Sequence, residues 1–374
     1  MSVQVSYKKQ TLFGLIILIC IFSVFELGSR FYEFFIQDCG LENAETLNEY
    51  DYFLKRYICY DQQIIEYAEQ PVLTMIPNQH FTTVNINNEG LRGTEINIPK
   101  AVDDYRIIII GGSTIFGAGM AYDYQTIPSE LNEKFKKKYN NVEVLNAGIS
   151  SITSFEEVYH FKEKLIQLEP DLVIIYDGVN NIHYKKTSEP EILNTDAEKL
   201  QIKDFQKYLR TPVVLYRYVL LPIIHSEQFN SLNVEKSDEN QKLQSHYGSE
   251  VSNSIGSLWY KHMNEFCQIS NEKQIESVVI IQPTLYHGDK PLTKFEESIY
   301  EDSEYFKKTF DILIQKSKNL NNCSMVMDFS NSFENVSEGV YFDKSHLNNL
   351  GNKIIAEKIY EKILPIVLKD LKNH

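Results

Sequence analysis

At 374 residues, with 43% hydrophobic and 24% charged side chains, the chain is long enough for one large α/β domain with additions, or for two domains. Its formal charge of −14 excludes a phosphate-neutralising nucleic-acid binder, and its densest basic cluster, Lys134, Lys136, Lys137 and Lys138, has the pattern of a solvated helix end. The five cysteines contain no Cys-x-x-Cys pair and the histidines show no ligand spacing, so no metal and no cofactor is expected.

Lys8 and Lys9 precede a run from Thr11 to Phe25 that is apolar except for Thr11 and Ser23. The strictly apolar part is short for a membrane span and has the length of a signal-peptide core. No small-x-small cleavage site follows, however, and Phe31, Tyr32, Phe34 and Phe35 suit a membrane–water interface. A retained anchor over residues 11–28 is therefore expected, with a buried helix of a soluble protein as the alternative. Ile17-Leu18-Ile19-Cys20 lacks the small residue of a lipoprotein signal. The two lysines place residues 1–10 in the cytoplasm and the bulk of the chain outside it. There Cys39 and Cys59 would either pair or remain free thiols.

Residues 29–102 form a membrane-proximal extension rich in tyrosine. Pro77-Asn78 and Asn87-Asn88-Glu89-Gly90 are turn signals, and Phe81 to Ile86 alternates like a strand of an edge hairpin. Arg92, just after the second turn, reads as structural. Tyr105-Arg106 then opens four consecutive isoleucines that end in Gly111-Gly112-Ser113, the pattern of a strand buried on both faces.

From there β–α units follow. Pro128 lies in the first turn of a helix running to about Tyr139, and Val142 to Asn146 is a strand ending in Ala147-Gly148. Ser154 to Glu157 reads as a capping box. It opens a helix with Phe155, Val158, Phe161, Leu165 and Leu168 on one face. Asp171 to Tyr176 is a third strand, followed by Asp177-Gly178-Val179-Asn180-Asn181. Residues 183–253 interrupt the rhythm with an apolar run, Pro212 to Ile224, and a polar stretch, Ser237 to Ser254. The pattern resumes with a helix over 255–271, a strand Ser277 to Gln282, a helix over 295–317 and a strand Ser324 to Asp328. The last helix follows, with Leu350, Ile354, Ile355, Ile359 and Ile363 on one face. Five buried strands alternating with helices imply a parallel sheet covered on both sides.

A small polar residue at the end of such a strand sits where α/β proteins place their chemistry. Ser113 is the candidate nucleophile. A serine hydroxyl needs a base, and that base needs an orienting carboxylate. His346 and Asp343, three residues apart, can supply both. Gly148 at a strand end, the Asn180 amide and the N–H of Ser113 can serve as oxyanion donors. A P-loop fails because Gly117 is followed by Ala118-Gly119, a dinucleotide fingerprint fails on spacing, and a Gly-x-Ser-x-Gly elbow fails because residue 115 is Ile.

Four blocks, Gly111-Gly112-Ser113-Thr114, Asn146-Ala147-Gly148, Gly178-Val179-Asn180-Asn181 and Asp343-Lys344-Ser345-His346, resemble in order and strand placement those of the SGNH (GDSL-like) hydrolases. The likeness covers roughly residues 103–370. It is greatest to the membrane-anchored extracytoplasmic branch, through the N-terminal helix, the Asn87 to Gly93 stretch and Tyr176-Asp-Gly-x-Asn180. Gly112 stands where many members carry Asp, and Asn181 where Asp is frequent.

The resemblance implies a three-layer α/β/α sandwich with a five-stranded parallel sheet over residues 103–374. It implies ester hydrolysis through an acyl-enzyme without a metal, with Ser113 as nucleophile, His346 as base and Asp343 orienting it. Ser113, Gly148 and Asn180 would form the oxyanion hole. The expected substrates are acyl esters of envelope glycans or lipids, O-acetyl groups included. An acyltransferase using the same triad, and a non-catalytic glycan-binding or scaffolding envelope protein, are the alternatives.

Overall fold

The structure is a computed structural model that describes residues 6–36, 40–41, 43–68, 72–189, 209–215 and 239–372. The chain divides into two compact units, residues 1–39 with 194–240, and residues 40–193 with 241–374.

The first unit is built on α1 (Tyr7–Phe31), which continues as a wider turn over Tyr32–Ile36. Tyr7–Ile36 is the one helix among the described residues that is long and apolar enough to cross a membrane, a property it shares with signal sequences. Two carboxylates near its end are matched. Glu33 takes a two-pronged ion pair from Arg210, at 2.6 and 2.7 Å. Glu26 accepts the backbone N–H groups of Arg210 and Thr211 ahead of a short helix, Thr211–Leu215. The rest of the apolar run to Ile224, and Cys39, lie outside the described residues.

In the second unit five parallel strands, β5 (Tyr105–Gly111), β6 (Val142–Gly148), β7 (Leu172–Asp177), β8 (Glu276–Ile281) and β9 (Met325–Asp328), form a sheet in the order β6-β5-β7-β8-β9. This is the doubly covered parallel sheet expected. Ile107 and Ile109 face one apolar core with α4 (Ile127–Lys136) and α11 (Asn349–Asp370). Ile108 and Ile110 face a second core with α5 (Ser154–Glu163), α8 (Glu239–Glu272) and α10 (Glu304–Ser317). All four isoleucines are fully buried, which is why no polar residue interrupts them.

Several local expectations are revised. The stretch Phe81 to Ile86 is mostly a turn between β3 (Gln79–His80) and β4 (Asn85–Ile86), because Asp61 accepts both the N–H and the hydroxyl of Thr83 and holds it out of a ladder. The capping box belongs one residue earlier, to Thr153 with Glu156, which leaves Glu157 buried. Residues 239–254, within the polar stretch, are helical and belong to α8. The helix expected over 295–317 is two, α9 (Lys294–Ile299) and α10, because Ser303 caps a new start. Leu350 is exposed and not on the apolar face of α11.

Cys59 is disulfide-bonded. A second bond, between Cys267 on α8 and Cys323 before β9, was not legible in the cysteine spacing; its Cα atoms are 4.7 Å apart. It closes a loop over a sequence separation of 56 residues. Replacing both cysteines by serine should lower the unfolding free energy by about 2–4 kcal/mol, measured by chemical denaturation of the oxidised protein beside the double variant.

Candidate active site

The site forms at the carboxyl ends of β5, β6 and β7. Beyond Gly111 the chain turns at Gly112 into a single helical turn, α3 (Ser113–Phe116), so Ser113 is its first residue. A Cβ on Gly111 would lie 2.6 Å from both the Ile115 side chain and the Tyr176 carbonyl, so this corner admits glycine alone. Gly117 closes the turn in the left-handed region, at φ +91°. Arg92 completes the support. Its guanidinium, fully buried, donates to the Phe116, Gly117, Thr83 and Met120 carbonyls and pairs with Asp123 at 2.7 Å. The structural role expected for Arg92 is thus to satisfy the carbonyls that leave α3.

His346 arrives on a hairpin-like loop tied by a bridge between Tyr341 and Leu347 and by the Phe342 N–H donating to the His346 carbonyl. Asp343 organises this loop from within. One carboxylate oxygen accepts the Ser345 and His346 N–H groups, at 2.8 and 2.7 Å, and the other lies 2.6 Å from His346 Nδ1. His346 Nε2 is 2.6 Å from Ser113 Oγ. The Nδ1 proton belongs on the carboxylate side, which leaves Nε2 as the acceptor for the serine hydroxyl.

Burial opposes ionisation of Asp343, yet the imidazole and the loop N–H groups outweigh it and hold the carboxyl down at about 2. For His346 burial likewise disfavours charge, but Asp343 prevails and the imidazole titrates above its ordinary 6.5.

The oxyanion side differs from expectation. Asn180, at the start of the short helix α6 (Asn180–His183), donates from Nδ2 to the Ile152 carbonyl at 2.6 Å, leaving one amide hydrogen uncommitted. A Cβ on Gly112 would lie 2.5 Å from that nitrogen, so glycine there makes the amide's space. Gly148 is not brought to the site. Its N–H donates to Asn146 Oδ1 at 3.0 Å, and a Cβ on it would sit 2.1 Å from the Phe116 nitrogen. Glycine is needed there so that β6 can pass against the backbone of α3.

Ser151 stands at the site instead. It lines the cleft, adopts the left-handed region at φ +69°, and its N–H, like that of Ser113, has no hydrogen-bond partner among the described residues. No sequence signal marked it, because serine seldom adopts that conformation.

The cleft over Ser113 measures about 930 Å³. Tyr184, Tyr286, Tyr300 and Phe342 contribute aromatic surface, and the Phe342 ring stacks on the His346 imidazole. Lys344 pairs with Glu301 in the break between α9 and α10, the segment that had been expected to be helical. His183 also lines the cleft, whereas His287 lines a separate small cavity and contacts Asp311. Gly40, Asn43 and Ala44 form part of the wall, so the extension before the sheet contributes to the site. Thr46 fixes this segment by donating to the Tyr341 carbonyl and accepting from Asn348.

No protein-family model matches the chain, and no curated protein does. Solved structures with a related chain course include an acetyl xylan esterase, AlAXEase, at 14% identity and a TM-score of 0.40, with 69% of this chain and 99% of that one covered. Axe2, an acetylxylan esterase from Geobacillus stearothermophilus, is similar at 15% identity and a TM-score of 0.37, over 69% and 94% of the two chains. LAE5, an alpha/beta hydrolase enzyme from the metagenome of Lake Arreo, Spain, is similar at 13% identity and a TM-score of 0.39, over 69% and 94%.

The packing of Gly148 has a direct test. Gly148→Ala should destabilise the protein by about 3 kcal/mol, whereas Gly248→Ala, in open space on α8, should stabilise it by up to about 1 kcal/mol. Urea denaturation of the two variants separates these outcomes.

Proposed function

We propose that the protein is a serine ester hydrolase acting through an acyl-enzyme. The observation that carries this reading is the continuous chain from Asp343 to His346 to Ser113, with both links at 2.6 Å. In the forward step His346 Nε2 takes the hydroxyl proton as Ser113 Oγ attacks the ester carbonyl. Asp343 stabilises the imidazolium that forms. The negative charge on the carbonyl oxygen is met by the N–H groups of Ser113 and Ser151 and by the free amide hydrogen of Asn180. The imidazolium then returns its proton to the leaving alcohol, and water repeats the sequence to release the acid. Ser151 replaces Gly148 in this scheme because the Gly148 N–H is already committed.

Acyl esters of envelope glycans or lipids, O-acetyl esters among them, are the proposed substrates. The cleft exceeds what an acetyl group needs and has room for the alcohol part. That room also suits an acceptor alcohol in place of water, which is the acyltransferase reading. A location outside the cytoplasm, with α1 as a single-pass anchor and the N-terminus inside, is supported by Lys8 and Lys9 and by the Cys267–Cys323 disulfide.

In the full-length protein, Ser113→Ala should abolish both fluorophosphonate labelling and turnover of a short-chain chromogenic ester. Persistent labelling in that variant would refute the mechanism. Labelling of the wild type without turnover would favour the transferase. Asp343→Asn should lower kcat by about 10⁴-fold. Because His346 acts as a base only when neutral, kcat/KM should fall as pH drops through its raised pKa, with the acid limb centred above 6.5. A profile flat down to pH 5 would exclude His346 as the base.

A further inference from the structure

Behind the oxyanion side, four polar side chains form a hydrogen-bonded row with no role in the steps above. Asn181 Nδ2 lies 2.8 Å from Ser154 Oγ, Ser154 Oγ lies 2.8 Å from His262 Nδ1, and His262 Nε2 lies 3.3 Å from Glu189 Oε1. Asn181, Ser154 and His262 are buried. Asn181 Oδ1 also accepts the Ser154 N–H at 3.0 Å.

The direction of each bond follows from counting hydrogens. The Asn181 amide donates to Ser154 Oγ, so the single hydroxyl hydrogen of Ser154 is free to donate onward to His262 Nδ1. His262 is then neutral with its proton on Nε2, where Glu189 accepts it. In the opposite tautomer the Ser154 hydroxyl has no acceptor and an unprotonated Nε2 faces a carboxylate.

This row braces the two segments that carry the oxyanion donors. Asn180 and Asn181 bond to residues 152 and 154 through three contacts, and Ser151 lies at the head of that same segment. We infer that Asn181, Ser154 and His262 are positioning residues that hold Asn180 and Ser151 in register, and that an amide at position 181, rather than a carboxylate, is required by His262. The inference rests on the esterase reading and assigns residues to it that touch no reacting atom.

An aspartate at 181 has no N–H to give. The Ser154 hydroxyl would turn to that carboxylate, its oxygen would demand a donor from His262 Nδ1, and Nε2 would still face Glu189, whose Oε1 also accepts from Lys261 at 2.5 Å. The ring would become an imidazolium. The change that brings the third block nearer the commoner Asn-Asp pattern should therefore impair this protein.

The test combines kinetics with ¹⁵N-histidine NMR on the full-length protein in detergent, the His262 signal being assigned with His262→Gln. Expected are a neutral, Nε2-protonated His262 in the wild type and an imidazolium in Asn181→Asp at pH 7.5. Both Asn181→Asp and His262→Phe should lose about 10- to 100-fold in kcat on p-nitrophenyl acetate, with KM within about twofold. Phe retains the bulk of the ring, so a folded His262→Phe with wild-type kcat overturns the inference even where Asn181→Asp does not fold. An Nδ1-protonated wild-type ring overturns it as well. A wild type without Ser113-dependent turnover refutes the esterase reading, and the positioning role falls with it, while the tautomer still reports whether the row exists.

Discussion

Three backbones meet at the carboxyl edge of the sheet with no space for side chains between them, and the rest of the site is arranged around that contact. Gly111 abuts the Tyr176 carbonyl and Gly148 abuts the Phe116 nitrogen. The tight fit forces the turn at Gly112 and fixes where Ser113 leaves the sheet. It also strands the carbonyls at the end of α3, since a helix of four residues cannot satisfy them internally. Arg92 takes on that task from the extension, with a buried charge distributed over four carbonyls and Asp123. Ser113 is therefore held from below by packing and from the side by one guanidinium.

Two aspartates, one half-exposed and one buried, show how donors decide the fate of a carboxyl. Asp343 receives two N–H groups and an imidazole and is held at about 2. Asp177, at the end of β7, receives the Trp259 indole N–H and a backbone N–H with no cation beside it, and burial pushes it up to about 6. Glu157, whose carboxyl oxygens are buried without partners among the described residues, is also pushed up by burial. The ionised carboxylate thus stands against the His346 imidazole. The two reluctant ones lie under the third block, in the second core.

Much of this was legible in the chain. The four isoleucines and the four other apolar strand cores give the sheet by burial pattern alone, and three of the four blocks locate Ser113, Asn180, Asp343 and His346. What escaped has a common character. Ser151 is defined by a backbone angle that serine rarely adopts, and Gly148 by a close packing on the Phe116 backbone nitrogen that a glycine at a strand end does not distinguish from a donor role. The break at residues 300–303 turns on one serine cap within a stretch of otherwise helical periodicity. The turn at 81–84 turns on Asp61, twenty-two residues from its partner Thr83. Such long-range side-chain-to-backbone bonds leave no local trace in the sequence.

The wall made by Gly40, Asn43 and Ala44 links the chain before the sheet to the shape of the cleft. This segment follows α1 in the chain within a few residues, and Thr46 supplies two of the hydrogen bonds that seat the loop carrying His346. A cut beyond Thr46 would part the sheet from the apolar N-terminal helix and, at the same time, remove one side of the cleft and loosen the loop that carries His346. For the same reason the junction tolerates little drift in length: residues inserted between Gly40 and Thr46 would reshape the cleft.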